Sequence, residues 1–539
     1  MPDRPITMTE SSAVSSVSHT TVHSTNPDHS FRPTRCASSG CSECLNIINC
    51  PDHPEEACAV FGIYAPGEDV SRLTYFGLHA LQHRGQESAG IAVADGTEML
   101  VTKDIGLVTQ VFNESALSTL TGHVAIGHTR YSTGGSSGSW EAAQPHLSTI
   151  GDEIIALANN GTLVNTYALR GRLIDLGIAF RSSADSEVMA KLIGYFTQET
   201  HHMREGIRRT MELIEGAYAV ALINAETLYA FRDPYGFRPL SIGRLPNGRG
   251  WVITSETCGL DIIGAEFVRD VKPGEVIRIN GVGDDGLISE QAVPPRKRAL
   301  CIFEFVYFAR PDSTIDGQGV YEARVAMGRN LALESPVDAD IVIGVPDSGV
   351  PAAVGYAQAS GIPFADGIIK NRYVGRTFIQ PTQEMRQRGV RLKLNPLTST
   401  IAGKRLVMLD DSIVRGTTSR QIVQMLRDAG AREVHVRIVS PPVVWPCFYG
   451  IDTDTQDQLI GSQMSTEEVG ASIGADSLAY ISYEGLLVSV KTDHPGFCTA
   501  CFSGSYPIMV SEQLQDRSFC AGLEPTWWPQ DNLGMDTLF

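Results

Sequence analysis

Hydrophobic positions change rhythm three times along this chain. Residues 1 to 57 are rich in Ser, Thr, His and Pro, with little apolar periodicity, and read as a disordered leader. At Cys58 a strand-like apolar run begins (Cys58 to Tyr64), followed by an amphipathic helix near Val70 to Leu81. Up to about residue 285, short strands alternate with Gly/Asn turns. Two helices stand out there. One is near Ser186 to Phe196; the other is near Met203 to Ile214, where Met203, Ile207, Met211 and Ile214 mark one face. Runs of strands with few helices predict an α+β or layered α/β/β/α domain.

From about residue 300 the order becomes strand, loop, helix, strand. Ile341 to Val345 is an apolar strand that runs into Pro346-Asp347-Ser348-Gly349, and a helix follows to Gly361. Leu406 to Val439 repeats the plan: an apolar run to Leu409, two aspartates, then a helical pattern (Ile422, Val423, Met425, Leu426) that stops at Gly430. This half predicts an α/β doubly wound parallel sheet. The expected domains are a leader or propeptide over 1–57, an α/β/β/α domain over 58–290, a parallel-sheet domain over 291–505 and a tail over 506–539.

Composition narrows the classes. The chain has 539 residues, 42% hydrophobic and 19% charged, as expected of a globular protein. No apolar run is long enough to span a bilayer. A net charge of −18 argues against a general nucleic-acid-binding surface. The basic clusters Lys370 to Arg376 and Arg386 to Lys393 stand out from that background and suit an anionic substrate. The first 30 residues lack a signal-peptide pattern, so a cytoplasmic protein is expected. Eleven cysteines then point to catalysis or metal binding rather than disulfides.

The most informative stretch is Arg405 to Thr418, RLVMLDDSIVRGTT. In an open α/β sheet, ligands bind at the carboxyl ends of strands. Asp410 and Asp411 stand at such an end, and paired aspartates can hold a ribose diol or a divalent ion. N–H groups and Thr hydroxyls at the following helix start suit a phosphate. The stretch closely resembles the signature of type I phosphoribosyltransferases, which bind phosphoribosyl pyrophosphate (PRPP). The resemblance implies a pyrophosphate loop at GVPDSGVPAA (344–353), carrying Asp347 and Ser348. It implies a mobile loop at KNRYVGRTFIQP (370–381), carrying Lys370, Arg372 and Arg376. Ser348, Asp410 and Asp411 become a site for one Mg2+ per subunit. The 5-phosphate is expected on Ser412 to Thr418, with Arg415, Gly416, Thr417 and Thr418.

Five ordered segments carry a second resemblance: Cys58 to Gly62, LQHRGQESAGI (81–91), GHTRYSTGG (127–135), NNGTLVN (159–165) and SSADSE (182–187). They resemble a class II glutamine amidotransferase domain of the N-terminal-nucleophile (Ntn) hydrolase fold. A thiol needs a base to become a thiolate, and an α-amino group of pKa about 7.7–8.0 can serve. By resemblance, Cys58 is the nucleophile once residues 1 to 57 are removed as a propeptide. Glu55-Glu56 matches the family's acidic leader, whereas Ala57 stands where Glu is more usual and Ala59 where Gly is common. The resemblance further implies that Arg130 binds the glutamine α-carboxylate, Asp185 its α-ammonium, and Asn160 with the Gly161 amide the oxyanion. Arg84 is expected at the same site, with a structural salt bridge as its other reading. Tyr131 is expected to couple it to the second domain.

Together the two halves resemble the amidophosphoribosyltransferases, in their Bacillus-like iron–sulfur branch. That implies glutamine hydrolysis at Cys58, ammonia passage through an internal channel, and displacement of pyrophosphate at C1 of PRPP. The products would be 5-phosphoribosylamine, glutamate and pyrophosphate, in the first committed step of purine (IMP) synthesis. It implies one [4Fe–4S] cluster per subunit on Cys301, Cys447, Cys498 and Cys501, for which zinc is the alternative. Inhibition by AMP, GMP and ADP and a homotetramer are implied too. Cys258 is expected to be packed and inert. Cys36, Cys41, Cys44 and Cys50 mimic a ferredoxin spacing without a fold around them. A PRPP-sensing regulator without catalysis is the other functional class, but it would not need five glutaminase motifs. Other amidotransferases lack the PRPP loops, and an electron-transfer role leaves both substrate sites unexplained.

Overall fold

A computed structural model describes residues 58–131, 140–151, 153–371, 393–451, 455–494 and 496–510. The expected leader, its four cysteines, Arg372, Arg376 and the tail beyond 510 lie outside the described residues. Among the described residues no helix is long and apolar enough to cross a membrane.

The first half is two stacked antiparallel sheets between helices. Its strands are β1 Ala59–Tyr64, β2 Ser88–Ala94, β3 Met99–Ile105, β4 Val124–Arg130, β5 His146–Ile150, β6 Glu153–Asn160 and β7 Ala219–Ile223, then β8 Leu228–Arg232, β9 Ser241–Arg244, β10 Trp251–Thr254, β11 Glu266–Asp270, β12 Glu275–Ile279 and β13 Leu287–Gln291. Seven form one sheet in the order β11-β9-β10-β1-β4-β2-β3, and six form the other, β13-β12-β8-β7-β6-β5. Period-two alternation decides which side chain goes where. In β1, Ala59, Phe61 and Ile63 pack outward against the helix Val70–Ala80, whereas Val60 and Tyr64 enter the layer between the sheets. In β7, Ala219, Ala221 and Ile223 enter that same layer from the other side. Val220 and Leu222 meet the helices Asp185–Thr200 and Met203–Leu213. This is the layered α/β/β/α arrangement expected from the sequence.

The second half opens with β14 Leu300–Cys301 and a small hairpin, β15 Thr314–Ile315 with β16 Gln318–Gly319. Its main strands are β17 Ile341–Gly344, β20 Arg405–Asp410, β21 Glu433–Ile438 and β22 Ser477–Tyr480, all parallel and in that order. A parallel bridge from Val342 to Phe364 adds one position beyond β17. Numbered along the chain, the order across the sheet is 2-1-3-4-5, so direction reverses between β17 and β20, where a doubly wound sheet binds ligands. Both faces are covered. Leu406 and Met408 face the cluster that includes Ile422 and Leu426; Val407 and Leu409 face the cluster that includes Met327 and Tyr356. Two-sided burial is why the run reads as continuously apolar. β18 Ile368–Lys370 and β19 Leu394–Pro396 form a separate antiparallel pair, and β23 Phe497–Cys498 pairs with β14.

Two features differ from the sequence expectation. The helix expected over 186–196 runs over Asp185–Thr200, because Asp185 itself opens it and only His201, in the left-handed region, ends it. Glu304–Phe308, inside the apolar run after Cys301, is a π-helical turn. The two halves pack as parts of one compact unit, with no separation near residue 290.

Candidate active sites

Cys58 lies at the head of β1, where Ala59 pairs with Thr129 of β4. Its thiol donates to the Tyr131 carbonyl at 3.7 Å. Burial pushes that thiol up to about 11; Arg130 and Arg238 pull it down, while Asp185 and Glu87 push it up. A thiol so placed is almost wholly protonated at neutral pH and needs a local base. Arg130 ends β4 and is buried. Asp185, at the start of its helix, accepts N–H bonds from Leu163 at 3.0 Å and Ser186 at 2.7 Å. Burial raises its pKa against those bonds and against the Arg130 charge. A thiol, a cation and an anion therefore act on one another here. A zwitterionic amino acid offers the complementary charges: a carboxylate for Arg130 and an ammonium for Asp185.

Asn160 ends β6 and is fully buried, and both polar atoms of its side chain lack a protein partner. A buried amide left unsatisfied calls for an explanation, and donation to a developing oxyanion provides one. Gly161 follows at φ +132°, where an added Cβ would lie 2.2 Å from the Ala217 carbonyl oxygen. Only glycine fits there.

Arg84 is corrected. Its guanidinium does not serve as an open receptor for the glutamine carboxylate. It is fully buried, with Nη1 on Glu256 at 2.5 Å and Nη2 on both Glu304 oxygens at 2.8 Å. Its Nε reaches the Cys58 carbonyl at 3.4 Å. Burial alone would lower its pKa, and the two carboxylates overcome that. Glu304 also takes Arg238 at 3.2 Å, whose Nη2 donates to the Tyr449 carbonyl at 3.2 Å. This buried ion network joins the first half to the second beside the nucleophile. Sequence reading missed Glu256, Glu304 and Arg238; the one signal was a carboxylate inside the apolar run around Glu304.

The second site is the crevice between β17 and β20. Asp410 and Asp411 are buried at the carboxyl end of β20. The Ser348 hydroxyl donates to Asp411 at 2.5 Å, and that of Ser412 donates at 2.6 Å. Ser348 comes from the loop after β17, so both expected loops converge here. Two carboxylates and a hydroxyl are hard oxygen donors and fit a magnesium ion. Gly416, at φ +78°, precedes the helix Thr417–Asp428, whose first turn presents Thr417, Thr418 and Ser419. Helix N-termini of this kind favour phosphate. Arg415 is part-exposed at the same loop. Lys370 pairs with Asp347 at 2.6 Å in solvent.

The four cysteines expected to hold a cluster do come together. Cys301 and Cys498 are paired in register between β14 and β23. The Cys501 carbonyl accepts N–H bonds from Val444 and Trp445, which tethers the loop bearing Cys447. All four are free thiols. Burial pushes Cys301 up to about 12, and neighbouring thiols of the set raise Cys301, Cys498 and Cys501 further. Two buried and two part-buried thiols that oppose one another's ionisation fit a soft iron centre, which would stabilise thiolates. Among the described residues no His, Cys, Asp or Glu group gathers tightly enough to hold a single ion. A [4Fe–4S] cluster takes four cysteine thiolates, the number that this set supplies. Cys258 is buried against the Ala80 carbonyl and Glu256, and burial holds its thiol protonated, as expected.

Comparison with known proteins agrees with this geometry. A glutamine amidotransferase domain matches residues 128–261, and a phosphoribosyl transferase domain matches residues 328–440. An amidophosphoribosyltransferase of Synechococcus elongatus is 54% identical over 467 residues, covering 86% of this chain and 94% of that protein. The chain belongs to the amidophosphoribosyltransferase family. The family member of Bacillus subtilis is 49% identical, covering 84% of this chain and 95% of its own length. A solved amidophosphoribosyltransferase structure from Bacillus subtilis, complexed with ADP and GMP, superposes with a TM-score of 0.77 at 48% identity, covering 84% of this chain and 98% of that one. A second, described as the allosteric regulatory enzyme of purine biosynthesis, gives 0.78 at 48% identity, covering 84% and 97%.

Proposed function

We propose that this chain hydrolyses glutamine at Cys58 and passes ammonia to C1 of PRPP, giving 5-phosphoribosylamine, glutamate and pyrophosphate. One observation carries the reading. A thiol flanked by Arg130 and Asp185 and a phosphate crevice at the β17/β20 switch point lie in one compact unit. A buried ion network ties the first site to the second half.

The α-amino group of Cys58, freed by removal of residues 1–57, takes the thiol proton. The thiolate attacks the carboxamide carbon, and the oxyanion meets Asn160 and the Gly161 N–H. The tetrahedral intermediate expels ammonia with that proton and leaves a thioester, which water hydrolyses to glutamate. In the crevice, Ser412 to Thr418 hold the 5-phosphate, while Lys370, with Arg372 and Arg376 by family likeness, neutralises the pyrophosphate. Ammonia displaces pyrophosphate at C1. Ser348, Asp410 and Asp411 would hold one magnesium ion, which when bound would supply positive charge beside the pyrophosphate. Cys301, Cys447, Cys498 and Cys501 would hold one [4Fe–4S] cluster, each supplying a thiolate. The family likeness and the Bacillus subtilis complex with ADP and GMP support inhibition by purine nucleotides. Family likeness alone supports a homotetramer, a cytoplasmic location and the purine pathway.

The test is PRPP-dependent pyrophosphate release by wild type and Cys58→Ala, with glutamine or with ammonium at raised pH. The variant is expected to lose the glutamine reaction and keep the ammonium one. Wild-type protein with a mature Cys58 N-terminus and full iron content, releasing no pyrophosphate with either donor, would overturn the reading in favour of a PRPP sensor.

A further inference from the structure

Gln144 lies outside every motif assigned above, yet its side chain is buried against the strand that ends in Asn160. β5 pairs with β6 from His146 opposite Leu157. Continued by two residues, that register sets Gln144 opposite Asn159. The backbone ladder ends at His146, short of it. The Gln144 side chain takes over. Its Oε1 accepts the Asn159 N–H at 2.7 Å, and its Nε2 donates to the Asn159 carbonyl at 3.4 Å. An amide so placed reproduces the two-bond pairing of a neighbouring strand.

The surroundings hold Gln144 in place. Lys103 donates to the carbonyls on either side of it, Ala143 at 2.5 Å and Pro145 at 3.2 Å. Strand β2 passes with no side chain at Gly90, where a Cβ would lie 2.1 Å from the Gln144 carbonyl oxygen. From the opposite sheet, His128 contacts the same Asn159 carbonyl through Nε2 at 3.0 Å. A carbonyl only accepts, so that nitrogen carries the proton. Burial keeps the ring neutral, with a pKa lowered to about 3. Asn159 in turn donates from its own side chain to the Gly161 carbonyl at 3.2 Å. Gln144 and His128 thus both bond the Asn159 backbone, next to Asn160, whose own side chain is left unpartnered.

We propose that Gln144 is a positioning residue of the glutaminase: paired side chain to backbone with Asn159, it aims the Asn160 amide and the Gly161 N–H at the oxyanion. This rests on the oxyanion-hole reading above. A displacement of about 1 Å in such donors lowers turnover on the order of 10²-fold.

The experiment uses mature, iron-replete Gln144→Leu, with Gln144→Glu as the second variant, which keeps the acceptor and loses the donor. Four quantities are read: glutaminase kcat, glutamine KM, the rate of Cys58 alkylation by iodoacetamide, and ammonium-dependent turnover. Alkylation needs the thiolate but no oxyanion donors. The expected result is a kcat lowered on the order of 10²-fold in Gln144→Leu and less in Gln144→Glu. KM, alkylation and the ammonium reaction should stay within about twofold. An unchanged kcat, or a parallel fall in all four readings in both variants, overturns the proposal. Asn160→Ala separates the two layers. If it retains full kcat, the oxyanion reading itself is wrong; if it loses kcat while Gln144→Leu does not, only the positioning role falls.

Discussion

Arg84 and Arg130 are both arginines inside glutaminase-type motifs, and their surroundings give them different work. Arg130 faces the thiol and Asp185, whereas Arg84 is closed between Glu256 and Glu304. Removing one partner of a buried ion network costs about 3–5 kcal/mol, because the remaining charge stays desolvated. Arg84→Met is therefore expected to lower the urea midpoint by a shift of that size, with little change in glutamine KM. Arg130→Met is expected to raise KM while moving the midpoint far less. An Arg84→Met protein of wild-type stability with a raised KM would restore Arg84 to the substrate. Residues whose chemistry is local were legible in the sequence: a nucleophile at a strand head, an Asn-Gly after a strand, paired aspartates before a helix. Gln144, Glu304 and Arg238 were not, because each acts on a group distant in the chain. Gln144 answers a strand peptide 15 residues away, and Glu304 an arginine 220 residues away.

Elements were legible where periodicity was long or two-sided. The strands of the parallel sheet and the helix from Met203 matched their patterns closely, since the same burial that stabilises them writes the pattern. The π-helical turn at Glu304–Phe308 was not legible. Its carbonyls are collected by a residue on another element: Arg324 donates to those of Phe305, Tyr307 and Ala309, each at 2.8 Å. Nor did composition reveal how closely the helices Val320–Glu334 and Gly349–Ser360 approach. A Cβ at Gly328 would lie 1.9 Å from the Ala352 carbonyl oxygen, and one at Gly355 would lie 1.9 Å from that of Val325. The obstacles are backbone atoms, so relief requires the helices to separate. Overpacking of this kind costs about 1–3 kcal/mol or more. Gly355→Ala is expected to lower the urea midpoint accordingly and to weaken PRPP binding, because its helix follows directly on the Ser348 loop. A variant with unchanged midpoint and unchanged PRPP KM would show that the helices part freely.

At the scale of the whole molecule, the thiol set and the glutaminase meet through the loop after Cys447. The Tyr449 carbonyl takes Arg238, and a Cβ at Gly450 would lie 3.3 Å from Gly161 Cα. Tyr449 also stacks on Phe237, with ring centres 4.5 Å apart. The loop that carries one thiol is thus packed against the peptide assigned to the oxyanion. The Cys501 carbonyl tethers the chain leading into that loop, and Cys301 and Cys498 stand on β14 and β23. Freeing the loop should disturb Gly161 first and the PRPP crevice, built on β17 and β20, last. Cys447→Ser, purified without oxygen, is therefore expected to lose bound iron and visible absorbance. Its glutamine-dependent turnover should fall on the order of tenfold or more beyond any fall in the ammonium reaction. Iron content is the independent reading. A variant that keeps its iron removes Cys447 from the ligand set. A variant that loses iron while the ratio of glutamine to ammonium turnover holds would show that the loop keeps its place against Gly161 without help from the thiols.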